Sequence, residues 1–116
     1  MSIITLSEEL TAGKFKVIKW AGMKGGDVGQ PLFIPDAADK TIHVKGTFTG
    51  ATAVIQGSND LETKTPEYDT LHKTDLSDLS FTVKDIFFIS ENPNLIRPSV
   101  SGGDGSTSLD ISICLK

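Results

Sequence analysis

Leu95-Ile96-Arg97-Pro98-Ser99-Val100-Ser101-Gly102-Gly103-Asp104-Gly105-Ser106-Thr107-Ser108-Leu109-Asp110-Ile111-Ser112-Ile113-Cys114-Leu115-Lys116 decides the fold. Leu109, Ile111, Ile113 and Leu115 fall on every second residue, with Asp110, Ser112 and Cys114 between them. Successive side chains of a strand point to opposite faces, so the first set makes an apolar row and the second a polar or small one. The stretch reads as two strands joined by a glycine-rich turn, a terminal hairpin. Pro98 has no N–H to give a ladder, which makes the first strand an edge or a bulged strand. Gly102 to Gly105 is expected to be turn geometry, so that valine at Gly103 or Gly105 costs folding.

Upstream, Ile42, Val44, Gly46 and Phe48 alternate with Thr41, His43, Lys45 and Thr47. After the tight-turn signal Thr49-Gly50, Ala53, Ile55 and Gly57 alternate with Thr52, Val54, Gln56 and Ser58. This pair reads as a second hairpin. Asp85 to Ser90 is a continuous apolar run bounded by charges, expected to be a buried strand or turn. Leu79, Phe81 and Val83 also alternate, and Leu32-Phe33-Ile34, closed by Pro35, reads as a short strand or edge piece. Lys14 to Ala21 is a strand with apolar residues on both faces, and Gly22 to Gln30 a flexible loop. No segment holds a 3.6-residue period over ten positions. The expected fold is all-β: an antiparallel, jelly-roll-like β-sandwich of seven to nine short strands. Residues 1–13 form an N-terminal arm or short strand, and residues 14–116 a single domain.

Composition narrows the function. The chain has 116 residues, 38% hydrophobic and 22% charged, with a net charge of −4. Residues 59–116 carry five basic and ten acidic residues, and no basic stripe with interleaved aromatics occurs, so nucleic acid is excluded as a partner. No apolar run approaches 18 residues and no signal peptide is visible, so no membrane is implied. Cys114 is the only cysteine, which rules out an internal disulfide.

The search for chemistry is largely negative. His43, His72 and Cys114 are too scattered for a structural zinc site. Cys114 has no charged neighbour to activate it, and no serine sits in a Gly-x-Ser-x-Gly elbow. Neither Gly22-Met23-Lys24-Gly25-Gly26-Asp27 nor Gly102-Gly103-Asp104-Gly105 leads into a helix, so neither is a phosphate loop. Asp60, Glu62, Asp75, Asp78 and Asp104 lack the spacing of a calcium loop, and only pooling across loops would join them. No catalytic residue, metal site or cofactor is expected. Trp20 reads either as a core anchor or as an interface anchor.

Two segments carry a family resemblance: Gly46-Thr47-Phe48-Thr49-Gly50-Ala51-Thr52-Ala53-Val54-Ile55-Gln56-Gly57-Ser58-Asn59-Asp60, and Glu91-Asn92-Pro93-Asn94-Leu95-Ile96-Arg97-Pro98 running on into Val100-Ser101-Gly102-Gly103-Asp104-Gly105. Over roughly residues 40–116 the sequence resembles small virion structural proteins of tailed bacteriophages, of the capsid decoration or cement type. The resemblance implies a jelly-roll domain without catalytic residues that binds the major capsid protein on the capsid exterior and stabilises the shell. It implies a homo-oligomer, dimer or trimer, assembled in the bacterial host cytoplasm. The residues expected at the interface are Ile3, Ile4, Leu6, Trp20, Met23, Leu32, Phe33 and Ile34. Other small head, neck or tail components share these features. Gly57-Ser58-Asn59-Asp60 also occurs in discoidin-like sandwich domains, which leaves a carbohydrate- or receptor-binding module as the alternative.

Overall fold

The computed structural model describes residues 2–12, 15–33, 39–61 and 65–116, with residues 9–12 and 15 described by their backbone alone. Their secondary structure is entirely β. The strands are β1 (Ile3–Ile4), β2 (Leu6–Ala12), β3 (Phe15–Met23), β4 (Val28–Gly29), β5 (Leu32–Phe33), β6 (Lys40–Thr47), β7 (Ala51–Ser58), β8 (Asp69–Thr70), β9 (Ser80–Phe81), β10 (Asp85–Ile89), β11 (Leu95–Gly102) and β12 (Ser108–Leu115). Seven of these have five residues or more, and the other five are two-residue pieces.

The strands form two sheets. One has the order β10-β6-β12-β3-β2; the other has β1-β4-β11-β7-β8, with β5 also on β11 and β9 also on β7. Going inward from both ends of the chain, β3 pairs with β12, β4 and β5 with β11, β6 with β10, and β7 with β8 and β9. The first half of the chain therefore runs antiparallel beside the second half. This long ribbon rolls up so that β6 also meets β12 and β7 also meets β11. That is the jelly-roll plan, and the fold is the expected β-sandwich.

The plan overturns both expected hairpins. β11 and β12 lie in different sheets, and so do β6 and β7. Period-2 alternation tells which face is buried, but not which strand lies alongside. The turns themselves are tight, since Ala51 N donates to Phe48 O at 2.9 Å across Thr49 and Gly50. They carry the chain between sheets instead of back along one sheet.

The core lies between the sheets. Leu109, Ile111 and Ile113 are fully buried and Leu115 nearly so, facing Ile42, Val44, Ile18 and Trp20 within their own sheet and Ala53, Ile55, Ile96 and Val100 across from it. Pro98 is neither on an edge strand nor at a bulge. It stands opposite Ile55 in the middle of its sheet. On its other side the neighbour changes from β5, opposite Ile96, to β4, opposite Ser99. The ladder is interrupted there, and a residue without an N–H is tolerated.

Gly22 to Gln30, expected to be a flexible loop, is docked on β11. Gly26 N donates to Val100 O at 2.8 Å, and Val100 N donates to Asp27 O at 2.9 Å. A Cβ on Gly25 would lie 1.9 Å from Gly102 O, so only glycine permits this approach. The turn after β11 is tied down by Thr107, which is fully buried. Its hydroxyl donates to Phe48 O at 3.0 Å and accepts from Asp104 N at 3.0 Å, which joins the two sheet-crossing turns. Gly103 has φ +78° and its Cβ would sit 2.2 Å from Thr107 Oγ1, whereas a Cβ on Gly105 would meet nothing within 4 Å. The turn requires glycine at 103; the expectation for Gly105 is corrected.

Candidate functional site

Two kinds of surface stand out, a polar groove and two apolar edges. The groove, about 640 Å³, lies where β7 ends. It is lined by Gly57 to Asp60 of β7 and the loop after it, by Glu67 and Asp69 to His72, and by Glu91 to Pro93. Strand β7 delivers its end here because the alternation that buries Ala53 and Ile55 continues to Gly57, which packs under Leu71 and Pro93.

The polar groups of the groove brace one another. Ser58 Oγ accepts from Asp60 N at 3.0 Å, and Asp60 Oδ2 accepts from Glu67 N at 2.8 Å. Asn59 Oδ1 accepts from Asn94 N at 3.0 Å. The Glu91 carboxylate accepts from His72 N at 2.5 Å and lies 3.2 Å from His72 Nδ1. Behind the rim, the Lys40 ammonium donates to Asn92 Oδ1. Lys40 is 1% exposed, and burial pulls its pKa below the usual lysine value, against the opposing pull of the Asp39 carboxylate. Four carboxylates, Asp60, Glu67, Asp69 and Glu91, make the groove rich in acceptors, suited to ligands that present several donors. Among the described residues, no three His, Cys, Asp or Glu side chains are grouped so as to hold a metal ion.

The first apolar edge belongs to the sheet that contains β11. Strand β1 runs parallel to β4, with Ile3 opposite Val28 and Ile4 opposite Gly29. Gln30 N donates to Ile4 O at 2.8 Å, and Val28 N to Ser2 O at 3.0 Å. The N-terminal stretch is thus built into the sheets. Ile3 is 67% and Phe33 53% exposed, while Ile4, Leu6 and Leu32 are half-buried. Ile34 lies outside the described residues. Trp20 and Met23 are fully buried, which corrects their expected place at an interface. Trp20 is a core anchor whose Nε1 donates to Gln30 O at 2.9 Å. The structure brings Ile3, Ile4, Leu32 and Phe33 to one sheet edge and leaves Trp20 and Met23 inside.

The second edge was hidden in the sequence. The run Asp85 to Ser90, expected to be buried, supplies β10 (Asp85–Ile89) at the border of its sheet. Phe87 is half-buried, packing at 5.5 Å on Phe81 with the Lys73 ammonium 4.3 Å from its ring centre, and Ile89 is fully buried. Ile86 and Phe88 face out, about half exposed. The signal available was that both alternating sets are apolar, which predicts two covered faces; the described residues cover one. Tyr68, the one tyrosine of the chain, has the Arg97 guanidinium 3.7 Å from its ring centre.

No family model matches the chain. No curated protein matches it either. Among solved structures, the SPBc2 prophage-derived protein YomS aligns over 92% of this chain and 98% of its own at 9% identity, with a TM-score of 0.66. A cupin domain from Bordetella pertussis aligns over 96% of this chain and 91% of its own, at 9% identity and a TM-score of 0.49. The first likeness shows that the β-sandwich fold is shared, over 92% of this chain, with a protein of nearly the same extent. Among the described residues, no helix is long and apolar enough to cross a membrane.

Proposed function

We propose that the chain is a non-enzymatic structural protein of a phage particle, which binds the major capsid protein on the outside of the shell as a decoration or cement protein. The observation that carries this reading is the whole-chain likeness to a prophage-derived protein, 92% of one chain on 98% of the other. The resemblance of residues 46–60 and 91–105 to phage decoration proteins supports it independently of the fold. So does the surface. The exposed apolar side chains Ile3 and Phe33 sit on a strand edge, a natural contact for a protein shell. The groove's Asp60 and Glu91 carboxylates are engaged in holding loops together. The protein's place is the virion exterior, as a homo-oligomer.

Particles prepared without the protein, incubated with the purified chain and sedimented, test this. The reading expects saturable co-sedimentation and a higher temperature of genome release. Failure to co-sediment at any concentration contradicts it.

The carbohydrate- or receptor-binding alternative has one observation in its favour: Gly57 to Asp60, the run shared with discoidin-like domains, lines the groove. Against it stands the scarcity of aromatics: Trp20 and Tyr68 are the only Trp and Tyr, Trp20 is buried and Tyr68 is stacked by Arg97. A glycan array would show a specific sugar whose binding is lost in Asp69→Asn if this reading holds, and no sugar above background if the particle reading holds.

A further inference from the structure

The sheet edges differ in how they are protected. Natural sheets blunt their edges with short strands, charges, prolines or bulges, because a regular free edge pairs with another chain. The sheet containing β11 ends in two-residue strands on both sides. The other sheet ends on one side in β2, which carries Glu8 and Glu9 and a register shift between Glu8 and Leu10. On its other side lies β10, where a charge at one end is the one such device. It pairs with β6 over five consecutive positions without a shift, it contains no proline or lysine, and its one charge is Asp85 at the start, whose carboxylate accepts from Ile86 N at 2.8 Å, a bond that a partner strand's carbonyl would replace. Among the described residues its pairing is with β6 alone.

We propose that β10 is the surface through which two copies of this chain associate, extending the five-stranded sheets into one continuous sheet across a two-fold axis. The occupant is a second copy because the strand is complementary to itself. A two-fold axis perpendicular to a sheet pairs residues antiparallel and keeps each side chain on its own face. Centred on Phe87, it sets Ile86 of one copy opposite Phe88 of the other, and Phe88 opposite Ile86. The two outward side chains that the monomer leaves about half exposed cover each other twice, the reciprocal contact of an isologous interface. Charge favours the same arrangement. The two Asp85 carboxylates fall at opposite ends of the ladder, roughly 14 Å apart along the strand at about 3.4 Å per residue. That exceeds a Debye length of about 8 Å at physiological ionic strength, whereas parallel in-register pairing would set them side by side. The interface was not among those expected from the sequence, and it does not depend on the particle reading.

Light scattering on the size-exclusion peak tests it with the full chain. The expected mass is twice 12.4 kDa, falling to 12.4 kDa in Ile86→Lys, with an unchanged circular dichroism spectrum. Phe33→Lys, on the other apolar edge, leaves the mass doubled. The register is tested in a Cys114→Ser background. Ile86→Cys and Phe88→Cys proteins, mixed and oxidised, form a crosslinked dimer, and neither crosslinks alone to the same extent. A monomeric wild type overturns the proposal, as does a dimer that survives Ile86→Lys or dissociates with Phe33→Lys. Equal crosslinking by the single variants overturns the register.

Discussion

The groove and the β10 edge are both open to solvent, yet they are tied to the fold in opposite ways. In the groove several polar groups hold another part of the chain: Asp60 holds Glu67, Glu91 holds His72, and Asn92 accepts from the buried Lys40. On β10 the outward side chains Ile86 and Phe88 project from a strand whose inward residues already make the core contacts. A concave polar pocket is the usual place to look for function. Here it has the character of scaffolding, and the plain sheet edge has the character of a contact surface. Substitutions in the groove should therefore cost stability, and substitutions on β10 should cost association.

The largest effect is expected at the groove floor. A Cβ on Gly57 would lie 2.7 Å from both Leu71 Cδ2 and Pro93 Cγ, and the proline ring cannot swing aside. Gly57→Val should destabilise the monomer by about 3 kcal/mol, measured by urea denaturation. A change below about 0.5 kcal/mol would mean the groove is free to reshape and is not scaffolding.

Next comes the rim. Asn92→Ala takes an acceptor from a buried ammonium and should cost about 1–2 kcal/mol, toward the lower part of the usual range because the groove admits water. The same ammonium gives a smaller, pH-dependent effect. Burial lowers the folded-state pKa of Lys40, so between that value and the unfolded value of 10.5 the unfolded chain binds more protons. Stability contributed by this group then rises with pH through that window, while below it the desolvation cost is present in full. Urea midpoints of wild type and Lys40→Met from pH 8 to 10.5 should diverge in slope, with the rise confined to wild type. Parallel curves would deny the burial of this charge.

The smallest effect on stability is expected at the edge. Phe88→Ser should change monomer stability by less than about 0.5 kcal/mol at concentrations where the chain is monomeric. A loss of about 2 kcal/mol there would make β10 part of the core and erase the contrast.

The strand faces were legible because burial of one face enforces period-2 alternation. Leu109, Ile111, Ile113 and Leu115 point inward as their spacing predicts, and Ile42, Val44, Ala53 and Ile55 do the same. Strand partners were not legible. The pairing of β6 with both β10 and β12, and of β7 with β11, joins residues 37 to 75 positions apart, and no local pattern encodes that. Trp20 was ambiguous because Val17 gives its strand an apolar residue on the outer face, whereas only the fold shows Trp20 inside. Three separate segments meet in the groove, and although Gly57 to Asp60, His72 and Glu91 to Pro93 each stood out in the sequence, nothing there placed them together. The run Ile86-Phe87-Phe88-Ile89 shows the limit most clearly: both alternating sets are apolar, yet among the described residues only one face is covered.

The claim that this is a shell-binding particle protein is tested most directly by difference cryo-electron microscopy of particles with and without it. The account predicts density of jelly-roll size at repeated symmetric positions on the outer capsid surface. Density confined to a single vertex or to the tail, or no difference at all, would contradict it.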